Sequence, residues 1–185
     1  MNMDLLKTNS IQKVLKTFFL IFLGTLALTI SAKIKIPFYP VPMTMQTFVV
    51  LFLGLAFGYK IGIAIVTVYL LEGIIGMPVF SNSPEKGVGL IYFTGPTMGY
   101  LIGFLVAVFF AGYLNLNKNI FINFVKLVFA VSTIYLLGIL WLGTLIGWDK
   151  PILQLGVTPF LLAEFFKISL LTLITKKIIK LRNFI

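Results

Sequence analysis

Glu164 and Lys167 lie inside an apolar run that continues from Ile152 through Thr175. A carboxylate and an ammonium three residues apart on a helix share a face, within reach of each other and of a common partner. Either charge is costly at membrane depth unless it is paired or solvated, so residues of this kind usually mark a site. Two readings follow. The pair can be a purely structural ion pair within a helix bundle, or it can grip the polar head of a ligand, which the rest of the chain favours. An acid–base pair in an intramembrane enzyme is a third option. The chain has no His and no Cys, and no second carboxylate stands nearby in sequence, which weakens that option.

Three stretches gather polar residues with Pro and Gly near the ends of apolar runs. The first is PVPMTMQT at 40–47, where the prolines forbid a helix and the polar side chains lead into the next run. The second extends from Gly76-Met77-Pro78-Val79-Phe80 through Asn82 to Gly95-Pro96-Thr97-Met98-Gly99-Tyr100. The third is Leu155 to Lys167, with Gly156 and Pro159 ahead of the charged pair. Irregular backbone at such depth is tolerated only where it lines a cavity or is buried in protein. An external pocket lidded by two loops is the expectation.

The elements that must position these residues are apolar helices. Of 185 residues, 59% are hydrophobic and 11% charged, a balance no soluble core needs. Six runs account for it, at about 17–32, 47–59, 61–79, 94–114, 120–147 and 152–179. The polar start followed by the first run has the look of a signal peptide. Thr29 and Ser31 make a poor cleavage site, however, and the run reads as a retained span. The expected fold is therefore all-α, a single domain over 1–185 built as an integral membrane bundle of six transmembrane helices.

An even number of spans puts both termini on one side. Lys7, Lys13, Lys16, Lys60, Lys118, Lys126, Lys176, Lys177, Lys180 and Arg182 fall on that side, against Lys33, Lys35, Lys86 and Lys150 on the other. Ten against four predicts cytoplasmic termini. Lysines at helix ends explain the net charge of +10 without nucleic acid. The lack of His and Cys excludes disulfides, thiolate chemistry and the commonest metal sites, so no metal is expected. No phosphate-binding loop of the G-x-x-x-x-G-K-[ST] type is present, so the chain does not hydrolyse ATP by that route.

Small residues predict where helices meet. Gly54, Gly58 and Gly62 recur every four residues, as do Gly95, Gly99 and Gly103, while Gly143 and Gly147 repeat the spacing once. The first series crosses a turn at Gly58-Tyr59-Lys60, and the second is the better indicator. In the first span, Ala27 and Ser31 offer a small-residue face for docking another protein. Trp141 and Trp148 read as interfacial anchors, Glu72 as a local hydrogen-bonding group, and the nineteen Phe as lipid-facing bulk.

Four motifs in order carry a resemblance over nearly the whole chain: PVPMTMQT at 40–47, YLLEGIIGMPVF at 69–80, GPTMGYLIGF at 95–104 and GVTPFLLAEFFK at 156–167. The chain resembles the BioY family, the biotin-specific S components of energy-coupling-factor transporters. The resemblance implies a multi-pass protein of the cell (plasma or inner) membrane that captures biotin with high affinity. It further implies a coupling module of one transmembrane subunit and two ABC-type ATPase subunits. Biotin is then cargo, and no cofactor is implied. Biotin's ureido ring has two N–H donors and a carbonyl. Glu164 can accept an N–H and Lys167 can donate to the carbonyl, with sharper effect in a dry pocket. Asn82 offers a further polar contact, followed by Thr97, Tyr100 and Gln46, with Phe80, Val79 and Tyr39 as apolar walls. Lys86 is the choice for the tail carboxylate, with Lys33 and Lys35 behind it. A different small vitamin is the alternative cargo. The family usually has Asp where Glu164 stands, a more glycine-rich loop after Phe80, and a glycine at the position of Met98.

Overall fold

The computed structural model describes residues 3–114 and 119–184, with side chains from residue 11 to 182 within those bounds. Lys118 and the side chain of Lys7, two of the charges counted above, lie outside them. Six α-helices follow in order: α1 (Met3–Lys33), α2 (Gln46–Ile74), α3 (Met98–Tyr113), α4 (Ile120–Ile146), α5 (Ile152–Gly156) and α6 (Leu161–Ile178). One antiparallel strand pair, β1 (Lys35–Ile36) with β2 (Met43–Thr44), adds a small sheet to the expected all-helical chain. Three-residue-per-turn helix covers Gly89–Thr94, Thr158–Phe160 and Ile179–Phe184.

Among the described residues, four helical stretches are long and apolar enough to cross a membrane: Ile11–Lys33, Gln46–Ile74, Ile120–Ile146 and Ile152–Arg182. The helix Met98–Tyr113 is apolar but shorter. Two of the four are not straight rods. Within α2, Gly58 stands at φ 75° and ψ 171°, a conformation closed to side-chain-bearing residues, and it ends one helix and starts another. A straight helix would hold Gly54 and Gly62 about 12 Å apart. Instead a Cβ on Gly62 would sit 3.5 Å from the Gly54 Cα, and the Gln46 and Tyr69 side chains share a 2.8 Å hydrogen bond. The halves 46–57 and 59–74 therefore run back along one another, with the reversal at the Gly58-Tyr59-Lys60 turn read from sequence. The run from Ile152 is also discontinuous. Pro159 lies in a three-residue turn between α5 and α6, where Val157 leaves the helical region at φ −132° and ψ −56°. The last apolar run is thus a short helix, a break and a long helix.

Glycines set how closely these helices pack. The hairpin of α2 embraces α3: a Cβ on Gly54 would meet the Val108 carbonyl at 2.7 Å, and one on Gly112 would collide with the backbone of Gly58 and Tyr59. On its other side α3 meets α4, with Gly103 2.6 Å (as a built Cβ) from the Ile134 Cα and Gly99 against Leu137 and Trp141. The first glycine series therefore serves packing as well as the second. Gly143 does not join two helices; it makes room for the Trp148 indole. The core formed by α2, α3 and α4 holds Leu51, Leu55, Ile65, Leu127 and Ile134, all nearly inaccessible.

The outer surface has the opposite character. Phe18, Phe22, Phe121, Leu162, Phe165, Phe166 and Leu173 are all exposed, a belt that only lipid would accept. The phenylalanines are divided, though, since Phe80, Phe104 and Phe160 are buried. The small-residue face of α1 also departs from expectation. Ser31 is 3% exposed with its hydroxyl on the Leu28 carbonyl, and Gly24 packs against Ile65. That face is used inside the chain, so Ser31 is not available to a partner; Ala27 is half-buried.

The close α3–α4 contact leaves no room for a methyl group. Gly103→Ala should lower the stability of the detergent-purified chain by about 1–3 kcal/mol, because backbone rather than a flexible side chain must yield. Ser132→Ala, on the exposed face of α4, serves as the control. Equal melting temperatures for the two variants would contradict the packing described.

Candidate functional site

The site begins with a charge that must be satisfied. Lys167, one turn into α6, is 8% exposed and Glu164 5%. The Lys167 ammonium has three protons, and each has a partner. It donates to Glu164 Oε1 at 2.8 Å, to Thr47 Oγ1 at 3.0 Å and to the Thr44 carbonyl at 2.7 Å. Thr47 in turn donates to Glu164 Oε1 at 2.7 Å. One ammonium thus ties together α6, the first turn of α2 and β2. A buried ion pair holds only when its remaining hydrogen-bonding capacity is met, and here it is met on the lysine side.

The carboxylate is different. Glu164 Oε1 accepts both bonds, while Oε2 is buried without a partner among the described residues. Glu164 lines a half-enclosed cavity with about 530 Å³ of empty space, some of it continuous with solvent. Its walls come from the loop before α2 (Val41, Pro42, Met43, Thr44), from α2 (Gln46, Thr47) and from α3 (Thr97 at its start, Tyr100, Leu101, Phe104). Ile134 and Tyr135 of α4, Phe160 ahead of α6, and Ser81 and Tyr92 complete it. Apolar walls with a few convergent polar groups are the usual make-up of a small-molecule pocket. A carboxylate oxygen with an open lone pair in such walls is an acceptor for a ligand N–H.

Sequence and structure can be compared residue by residue. Glu164, Gln46, Thr97 and Tyr100 all line the cavity. Two of these are also tied to protein: Gln46 donates to Tyr69 Oη, and Tyr100 donates to the Gly156 carbonyl at 2.9 Å, bracing α3 against α5. Lys167 touches Glu164 but lines a shallow groove on the other side, with Ile34, Ile36 and Phe166. Its expected bond to a ligand carbonyl has no proton left to make it. Val79 and Phe80 do not wall the cavity. The Val79 carbonyl accepts from Tyr69, and the Phe80 ring is buried edge-on to Tyr69 and stacked on Tyr92. Tyr39 is 82% exposed, with the Lys86 ammonium 5.5 Å from its ring centroid.

Asn82 and Lys86 line a neighbouring cavity with Ile91, Thr94 and Pro96. Tyr92 and Thr97 belong to both cavities and form the partition between them. Lys33 and Lys35, held in reserve for a carboxylate, are engaged by loop carbonyls instead. Trp141 is less an interfacial anchor than a strap, since its indole N–H donates to the Gly95 carbonyl at 2.9 Å.

Sequence reasoning missed Thr47, Ser81, Tyr92, Phe104, Tyr135 and Phe160. For Thr47 a signal existed, because it closes the PVPMTMQT motif. Phe104 likewise closes the GPTMGYLIGF motif, whereas for Tyr135, an aromatic position in mid-helix, the sequence held no signal.

Comparison with known proteins bears on the whole chain. Residues 3–184 match the BioY family. A protein of Thermotoga maritima named biotin transporter BioY is 34% identical over 85% of this chain and 92% of its own length. One of Pyrococcus horikoshii, named probable biotin transporter BioY, is 33% identical over 81% of this chain and 88% of its own. The crystal structure of the S-component for biotin from an ECF-type ABC transporter superposes with a TM-score of 0.75 at 25% identity, covering 91% of this chain and 93% of that one. With a family match over nearly its full length and relatives of this similarity, the chain is a multi-pass protein of the cell membrane and belongs to the BioY family.

Proposed function

We propose that this chain is the S component that captures biotin outside the cell and delivers it inward with a separate ATP-driven coupling module. The observation that carries the reading is Glu164 in the wall of a largely apolar cavity, beside the Tyr135 hydroxyl, with its Oε2 buried and unpartnered among the described residues. It suits a neutral ring that offers N–H groups. The names of the relatives and of the superposed structure, each tied to biotin, support the cargo. Family and structural neighbours alike are transport subunits rather than enzymes. The chemistry agrees, because an ammonium whose three protons are all held by protein has none free to give to a reacting group.

In this reading the ureido ring of biotin meets Glu164, and Lys167 fixes that carboxylate in place rather than touching the cargo. Thr97 and Tyr135 supply hydroxyls near the ring carbonyl, while Phe104, Ile134 and Phe160 cover the thiophane. The tail passes the Tyr92–Thr97 partition toward Lys86. Six apolar segments cross the bilayer, counting the α2 hairpin as two, and both termini are cytoplasmic, supported by the ten-to-four distribution of basic residues. Cargo orders the loops at 33–45 and 81–93. The loaded subunit then reorients against a transmembrane coupling subunit that serves two ATPases, meeting it along α1 at Ala27.

Equilibrium binding of labelled biotin to the purified chain tests the core of this. Wild type should bind stoichiometrically. Glu164→Ala removes a charge-assisted acceptor and Lys167→Ala strands a buried carboxylate, and each should weaken binding by roughly 100-fold or more. Binding untouched by both would reject the site; competition by another vitamin in place of biotin would reject the cargo.

For the tail, Lys86→Ala should cost several-fold in biotin affinity, the scale of about 1 kcal/mol for an exposed charge pair. Affinity for biotin methyl ester should not change. An equal loss for both ligands would remove Lys86 from this role.

Docking along α1 predicts that Ala27→Trp abolishes uptake in vesicles containing the full module while leaving biotin binding intact. Unimpaired uptake would exclude Ala27 from that contact.

A further inference from the structure

Lys33 closes α1 and Lys35 opens β1, and both ammonium groups end on one short segment of the loop after α2. Lys33 Nζ donates to the carbonyls of Phe80 and Ser83, each at 2.7 Å. Lys35 Nζ donates to the Ser81 carbonyl at 2.6 Å and to Asn82 Oδ1 at 3.1 Å. Every residue from Phe80 to Ser83 therefore accepts from one of the two lysines. This segment forms the wall of both cavities, Ser81 in the first and Asn82 in the second. Phe80 itself is anchored in the core against Tyr69, Tyr92 and Phe93. Beyond it, Ser81 Oγ and the Asn82 N–H reach Tyr92 Oη at 3.2 and 3.3 Å, Ser83 Oγ donates to the Phe80 carbonyl and the Lys86 N–H to the Asn82 carbonyl, each at 2.8 Å.

Phe80 stays in the core, and two features make the turn that follows it a latch. Four charge-assisted bonds from the junction of α1 and β1 converge on a segment with no helix or strand of its own. Both lysines are exposed, so water can replace each bond as it breaks, and the segment can detach without stranding a buried charge. The Glu164–Lys167 pair, by contrast, has no such replacement available.

We infer that Lys33 and Lys35 are positioning residues for the ligand site, latching the 80–83 segment to the end of α1 and so setting how fast the cavity opens. They touch no cargo. Applied to biotin, the inference rests on the function proposed above, and opening rate then becomes dissociation rate.

The chain contains no Cys, so one introduced thiol reports on the latch without any ligand. Ser81→Cys places it at the 5%-exposed cavity wall while leaving the backbone carbonyl that Lys35 grips. In that background, Lys33→Met and Lys35→Met should each speed labelling by a hydrophilic maleimide at least about threefold, and the double variant about tenfold or more. Arginine at either position should largely restore slow labelling. Thr175→Cys, 1% exposed and far along α6, should label no faster in any of them. Unchanged labelling at Ser81→Cys, or equal acceleration at Thr175→Cys, would overturn the latch.

Biotin then separates this role from the carboxylate contact read from sequence. Faster dissociation of biotin and its methyl ester alike supports the latch, whereas an effect confined to biotin overturns it. A wild-type chain that fails to bind biotin rejects the proposed function, and the labelling still decides the latch.

Discussion

The Lys167 ammonium is the constraint on which the rest of the site depends. At the depth where it lies, a lysine must find an acceptor for each of its three protons, and the acceptors come from three separate elements. The Thr44 carbonyl is free to accept because the prolines at 40 and 42 keep the chain ahead of α2 out of a helix. Thr47 serves because it sits on the first turn of α2, and Glu164 because it precedes Lys167 by one turn. Satisfying one cation thereby fixes the path of the first loop over the bundle. What it leaves over, a carboxylate oxygen with no partner among the described residues, is the feature that gives the cavity its chemistry.

Close packing between the helices makes that arrangement possible. The α2 hairpin, α3 and α4 approach at glycines, with backbone against backbone at Gly103 and Gly112. Arg182 adds a polar fastening there, its guanidinium donating to carbonyls of Gly54, Leu55 and Gly112 near the α2 reversal and the end of α3. Such carbonyls have no partner within their own helices, and a cation among them is favourable. The α2 reversal is therefore drawn against the end of α3, while the cavity lies toward the start of α3, beside the close contacts of Gly99 and Gly103 with α4.

What could be read from the sequence was local. The pairing of Glu164 with Lys167 follows from helix geometry alone, and the reversal at Gly58 from a short polar break between two apolar runs. Gln46, Thr97 and Tyr100 were found because Pro and Gly marked their surroundings as irregular, and irregular backbone in an apolar chain has a reason. What could not be read required knowing which face meets which. Ser31 is small, but small residues pack equally well against a partner or against the chain's own α2, and here the neighbour is internal. Phe80 sits beside the cavity loop in sequence yet turns into the core, because Tyr69 and Tyr92 offer it aromatic faces. Tyr135 lines the cavity from a mid-helix position that resembles any other apolar site.

The division between fixed and open groups follows from what a carrier must do. If cargo replaced one of the protein's own bonds to Lys167, its departure would leave a buried cation short of an acceptor, and the empty state would be destabilised by the full desolvation cost. With Lys167 saturated by protein, the cation is equally well paired whether the cavity is full or empty. In the proposed site only Glu164 Oε2 changes partner, and an anion's second oxygen is partly compensated by the charge held on its first. Binding can then be strong without making the empty carrier untenable, and the loops rather than the ion pair are left to govern the rate of exchange.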